Sequence, residues 1–275
     1  GNNKGSFFAR PLADFAIIGG TFEKKLDSPF DLPNAIGDRD IFLATFSNGG
    51  LENAVAMGGT YPDNLLAAGV YGDGSVVLAG QYIVEAQLDT HLFVSDPLPS
   101  AVYCARFNRD LQVEWHFQVG SNGLLDVAKI IPGFEGELYI TGSFQDTLWW
   151  QDTVLTSIGN QDVFIANLDP GGDLNWIRHF GESGDTRASA MTEYKGSLLV
   201  AGIFNDRTSF GGAGMTANTK DMDVFLLSLD AKSGEVKWAV KAGGVFDEEV
   251  SQLEVDEEGN VYAFGQFIGV MNTGL

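Results

Sequence analysis

Three markers recur along this chain at one period, and they constrain the fold more than any other feature. Asp40-Ile-Phe-Leu-Ala-Thr-Phe46 returns as Ala101-Val-Tyr-Cys-Ala-Arg-Phe107, Asp162-Val-Phe-Ile-Ala-Asn-Leu168 and Asp223-Val-Phe-Leu-Leu-Ser-Leu229, with every interval equal to 61 residues. A Gly-x-aromatic triplet repeats at Gly20/Phe22, Gly80/Tyr82, Gly142/Phe144, Gly202/Phe204 and Gly265/Phe267, at intervals of 60 to 63 residues. A Trp-x4-Gly pair stands at Trp115/Gly120, Trp176/Gly181 and Trp238/Gly243, and Asn53/Gly58 is its degenerate copy. Three signals sharing one period mean one supersecondary unit copied along the chain.

Each copy holds four strand-like runs. In the best one, Arg187–Thr192 is short and rich in small residues, a Lys195-Gly196 turn follows, and then comes Ser197–Phe204. A loop of about eighteen residues leads to Asp223–Leu229, and a second turn precedes Glu235–Lys241. The third run alternates with period two and is apolar on both faces: Phe42, Ala44 and Phe46 on one side, Ile41 and Leu43 on the other. A strand covered on both faces belongs to a sheet packed between two neighbours. Four-stranded units of this length describe the blades of a β-propeller, or of an open propeller arc. The chain of 275 residues then reads as one propeller segment with blades at 6–58, 64–120, 127–181 and 187–243 and a partial blade at 248–267. Four and a half blades imply a protein that continues beyond Leu275, or an open arc. Small residues (Ala67, Ala68, Gly69, Ala128, Ala188, Ala190) suit innermost strands crowded at an axis. The Trp runs suit the outer rim, with each Trp buried between blades.

Composition agrees. Glycine is 35 of 275 residues and aromatics are 12%, as short strands and tight turns require. No apolar run approaches the ~18 residues of a membrane-spanning helix, so no membrane insertion is expected. The formal charge of −21 repels phosphate backbones and excludes nucleic acid as an expected partner. The single cysteine, Cys104, lies in a strand run and reads as an inert buried thiol.

The run Asp162-Val-Phe-Ile-Ala-Asn-Leu-Asp-Pro-Gly-Gly-Asp-Leu-Asn-Trp176, followed by Gly181-Glu-Ser-Gly-Asp185 and Gly196-Ser-Leu-Leu-Val-Ala-Gly-Ile-Phe204, resembles one copy of the bacterial β-propeller repeat called SBBP. The resemblance extends over most of the chain. It implies a secreted or cell-surface bacterial protein and no particular activity. Asn53 and Ala101 depart from the pattern. A second stretch, Leu229-Asp-Ala-Lys-Ser-Gly-Glu-Val-Lys-Trp238, is similar to the quinoprotein propeller repeat. That family often uses adjacent cysteines at its cofactor, and one Cys cannot supply them, so no cofactor is expected.

Asp63, Asp126, Asp185 and Asp247 each precede an inner run. Gathered at a channel mouth they would attract Ca²⁺; acting singly they would each cap a turn. Asp40, Asp162 and Asp223 invite the same turn-capping reading. Trp149 and Trp150 sit in a long loop and offer rings for a sugar. If Phe210 is the counterpart of Trp149, then Trp149 anchors the loop and Trp150 is the freer ring. His91, His116 and His179 lack ligand-like spacing. The expected function is a non-enzymatic binding or scaffold module of a secreted or surface protein, with a protein or glycan on the long-loop face. The alternative is a glycan-binding or glycoside-acting propeller.

Overall fold

The computed structural model describes residues 4–23, 34–217 and 220–270. The described residues are all-β, without helix, so no helix crosses a membrane. The chain divides into two compact units, Gly1–Asn122 with Trp149–Thr153 and Gly123–Leu148 with Val154–Leu275.

The first unit holds two blades. Blade one is the meander β1 (Lys4–Leu12), β2 (Phe15–Phe22), β3 (Asp40–Ser47), β4 (Gly50–Met57). Blade two pairs β5 (Asn64–Val70), β6 (Val76–Tyr82), β9 (Ser100–Phe107) and β10 (Val113–Ser121) in that order, and its long loop forms a hairpin of β7 (Glu85–Leu88) and β8 (His91–Val94). Ile17, Ile41 and Leu43 of blade one and Leu78, Tyr103 and Ala105 of blade two share one apolar core.

The second unit holds blade three, β11 (Leu125–Pro132), β12 (Leu138–Phe144), β15 (Asp162–Leu168) and β16 (Leu174–Phe180), and blade four, β17 (Thr186–Tyr194), β18 (Ser197–Phe204), β21 (Asp223–Asp230) and β22 (Val236–Ala242). The long loops again fold into hairpins: β13 (Thr147–Trp150) with β14 (Thr153–Thr156), whose Trp149–Thr153 tip belongs to the first unit and whose strands extend the blade-two sheet beside β10, and β19 (Arg207–Phe210) with β20 (Ala213–Thr216). A two-stranded sheet, β23 (Glu249–Val255) and β24 (Val261–Gln266), follows. Alternation in β21 explains the stacking. Phe225, Leu227 and Leu229 enter the core shared with blade three, while Val224 and Leu226 pack against the core shared with β23. Sheets buried on both faces and stacked in chain order are the blade packing of a β-propeller.

The Gly-x-aromatic marker has a geometric cause. In each first pair the register slips opposite the glycine, as where Ala188 faces Gly202 but Ala190 faces Ala201. The bulge turns the Arg187 carbonyl inward, and a Cβ on Gly202 would lie 1.9 Å from that oxygen. A second slip follows the Trp position, between the Trp176–Asn167 and Leu174–Leu168 pairs. The same register puts Asn53 opposite Thr45, which confirms it as the degenerate Trp.

Burial of the Trp rings is uneven. Trp176 is 8% exposed and lies against Gly234, in the outer turn of the following blade. Trp115 is half-buried and stacks on Phe117, their centroids 5.6 Å apart. Trp238 is 41% exposed, contrary to the expectation of burial. The sheet that follows it has only two strands among the described residues and supplies no outer turn to cover the ring.

Candidate functional site

Joints between successive blades gather the buried acids. The first residue of the next inner strand, or the one just before it, donates its N–H to the carbonyl preceding the third strand: Asp63 to Arg39 at 2.7 Å, Thr186 to Gln161 at 2.7 Å, Glu248 to Met222 at 2.8 Å. Beside each contact a fully buried aspartate opens the third strand: Asp40, Asp162 and Asp223. Each lies under the glycine of the Trp-x4-Gly marker. A Cβ would come within 2.4 Å of Asp40 at Gly58, 2.0 Å of Asp162 at Gly181 and 2.1 Å of Asp223 at Gly243. Asp162 accepts N–H bonds from Ile158 (2.9 Å) and Gly159 (3.1 Å), and Asp40 accepts them from Ile36 and Gly37. Ala101 breaks the pattern, and there Leu98 fills the space under Gly120.

Asp63, Asp126, Asp185 and Asp247 prove to be inequivalent. They stand five, six, four and four residues after Gly58, Gly120, Gly181 and Gly243. Asp63 is buried and accepts the Gly59 N–H at 2.8 Å. Burial pushes its carboxyl up to about 7, helped by the neighbouring Asp40 charge and opposed by the Gly59 hydrogen bond and by Arg39. Asp126 is exposed. Asp185 pairs with Arg187 and takes the Asn160 amide. Asp247 caps the Met222 N–H at 2.9 Å. Among the described residues no three His, Cys, Asp or Glu side chains are grouped to hold a metal ion. The four acids therefore do not share one structural role. They fall at different steps of a strand, and one step changes the face a side chain takes.

Trp149 and Trp150 exchange the roles expected of them. Trp150 is 1% exposed and packs on Phe117, with centroids 5.7 Å apart, whereas Trp149 is only partly buried. The alternating burial of β7, β13 and β19 makes Leu88, Trp150 and Phe210 equivalent, each the inward last residue of its strand. The counterpart of Phe210 is thus Trp150, one residue from the expected match. These hairpins are pinned to the blades by such side chains.

The sequence also hid a histidine pair. His91 of β8 and His116 of β10 lie with ring centroids 4.1 Å apart, and both rings approach Phe93. Burial and the His91 charge together hold His116 below its ordinary value. A hairpin folded back across the sheet joins positions 25 residues apart, and spacing along the chain carried no sign of it.

A broad concavity lies in the second unit, at the short-turn end of blades three and four. It encloses about 700 Å³. Tyr139 and Trp176 line it, both almost fully buried, and the Trp176 indole N–H has no protein acceptor. Polar groups come from the four short turns: Glu135 and Glu137, Asp169, Glu193 and Lys195, Asp230 and Lys232. Asn175 and Asn167 join amide to amide at 2.9 Å. Lys237 is bound to Gly196 O, Ser197 Oγ and Asp230 Oδ2 at 2.9–3.2 Å. Five carboxylates against three lysines give the lining an acidic excess.

No family model and no curated protein matches the chain. Among solved structures it is similar to the Dos1 propeller at 10% identity, with a TM-score of 0.46, over 95% of this chain and 66% of that one. It is also similar to a subtype N10 neuraminidase-like protein of A/little yellow-shouldered bat/Guatemala at 10% identity, with a TM-score of 0.40, over 90% of this chain and 84% of that one. The β-propeller architecture rests on the blades themselves: the chain is an all-β protein of repeated four-stranded propeller blades.

Proposed function

We propose that this chain is a non-enzymatic binding module whose ligand docks in the short-turn groove of blades three and four. The groove is the observation that carries the reading. It combines a nearly buried Trp–Tyr floor, an indole N–H with no protein acceptor, side-chain amides and an acidic rim. Such a lining suits a hydroxyl-rich ligand that is neutral or cationic, an oligosaccharide above all. The long-loop end, where the ligand was expected, is less suited, because its hairpins commit Leu88, Trp150 and Phe210 to packing. A glycoside-cleaving role has less support. The adjacent acids Asp40 and Asp63 are sealed from solvent and not placed to meet a glycosidic bond. The secreted or cell-surface setting implied by the SBBP resemblance belongs to the same proposal, and the charge of −21 suits a soluble surface module.

Trp176 fluorescence offers a reporter. Titration with neutral and amino-sugar oligosaccharides is expected to shift it, and Asn175→Ala/Lys232→Ala is expected to weaken binding at least tenfold. Binding unchanged in that variant, or seen only with sialylated or sulfated glycans, overturns the proposal.

A further inference from the structure

The three acidic joints share the opening aspartate and differ in what faces it from the outer strand. Strand register puts one position of the fourth strand beside the third residue of the third. That position is His179 opposite Phe164, Lys241 opposite Phe225 and Ala56 opposite Phe42. His179 Nδ1 lies 3.1 Å from Asp162 Oδ2, and Lys241 Nζ lies 3.6 Å from Asp223 Oδ2. Alanine gives Asp40 no such partner.

At the Asp40 joint a second buried carboxyl, Asp63, comes within hydrogen-bonding reach, as Glu248 does at the Asp223 joint, where Lys241 also approaches the pair. The Asp40 and Asp63 carboxyl groups meet over Gly58, whose added Cβ would lie 2.4 Å from Asp40 Oδ1 and 2.7 Å from Asp63 Oδ2. Two carboxylates so close and so dry must either share a proton or hold a cation between them. Arg39 also acts on Asp63, drawing its carboxyl down against the push from Asp40.

A second departure from the repeat lies at the same place. Where the other described blades carry Phe22, Phe144 and Phe204, blade two has Tyr82; where they carry Phe42, Phe164 and Phe225, it has Tyr103. Both tyrosines are at most 2% exposed, and neither hydroxyl has a hydrogen-bond partner. Both feel the Asp63 charge, and Tyr103 feels Asp40 as well. The remaining oxygens Asp40 Oδ1 and Asp63 Oδ1 likewise lack a donor. Four buried oxygens left unpaired would cost about 1–3 kcal/mol each. Phenylalanine at either tyrosine position would remove that cost, as it does in the other blades. The oxygens therefore point to a guest.

We propose that Asp40 and Asp63, with the hydroxyls of Tyr82 and Tyr103, form a buried site for a divalent cation of the calcium class, which takes the place that His179 and Lys241 hold at the other acidic joints. Two carboxylates balance one divalent charge. An irregular set of oxygens suits Ca²⁺ better than Mg²⁺, which demands near-ideal octahedral geometry and keeps its waters. The site differs from a ring of Asp63, Asp126, Asp185 and Asp247: of those four only Asp63 takes part.

The test is calorimetric titration of Ca²⁺ into the full chain stripped by chelator, in 0.15 M NaCl to screen its diffuse acidic field. One saturable event per chain is expected, with a rise in the thermal midpoint. Asp40→Ala/Asp63→Leu should abolish the event and leave the β-sheet circular dichroism intact, because Ala101 and Leu125 stand at the corresponding positions of the repeat. Tyr82→Phe/Tyr103→Phe should retain the event with affinity weakened about tenfold, or ~1.4 kcal/mol. Should the double aspartate variant not fold, Asp63→Asn must lose the calcium-dependent rise in midpoint. No saturable event, an event that survives removal of the aspartates, or equal binding of Mg²⁺ overturns the proposal.

Discussion

Single residues report the packing most directly, and the Trp rings form a graded series. Trp176→Ala should cost about 3–5 kcal/mol, the range for emptying a large core site. Trp238→Ala, at 41% exposure, should cost about 1 kcal/mol or less. Urea unfolding of the two variants checks this, and equal losses would contradict the covering role of the Gly234 turn. Histidine 116 gives a second test. Its imidazolium is disfavoured in the fold by burial and by His91, so its value lies below 6.5. The unfolded chain then takes up the proton more readily, and stability is lost as pH falls through and below about 6.5. His116→Gln should flatten that part of the pH–stability curve; an unchanged slope would mean the ring titrates as in the unfolded chain. At this scale the sequence was only partly legible. The inward alternation of β13 reverses Trp149 and Trp150, because a two-residue period turns a one-residue misalignment into an exchange of faces.

Among elements, the bulged first pair of each blade is the defining device. At Gly142, Gly202 and Gly265 the marker glycine stands where the bulge carbonyl comes closest. Gly202→Ala should therefore destabilise by about 3 kcal/mol through overpacking, read by thermal or chemical unfolding. A loss under about 0.5 kcal/mol would mean the Arg187 carbonyl swings away without cost. Both the glycines and the Trp positions were legible as markers, since each coincides with a register slip that one residue type accommodates. The hairpins β7–β8, β13–β14 and β19–β20 were not. Their strands are four residues long and held by one or two anchors, too little alternation to stand out in the sequence.

For the molecule as a whole, the propeller reading came from the period alone, because a 61-residue unit that cannot bury its own faces has to stack. The short-turn groove was illegible for the opposite reason. Its polar groups come from four turns spread over about a hundred residues, from Glu135 to Lys237, and no local pattern links them. The net charge of −21 acts at the same scale. Raising NaCl from about 10 mM to 150 mM shortens the screening length from ~30 to ~8 Å and should raise the melting temperature. A midpoint that stays level or falls would show that self-repulsion does not limit stability.

The joints themselves carry a further consequence, for how such a chain grows. Each is assembled from two neighbouring copies: the opening residue of a third strand in one, and a residue five places after the Trp-x4-Gly glycine in the passage to the next. The pairs observed within the two units are Asp40 with Asp63, Asp162 with Thr186 and Asp223 with Glu248. A duplication or exchange cut within a copy moves one half of a joint without its mate, and a crossover setting Asp63 against an alanine would strand a charge in a dry interface. Recombination that carries both halves together passes without penalty. The lineage of such an array is thus constrained by where it can be cut as much as by what each copy contains.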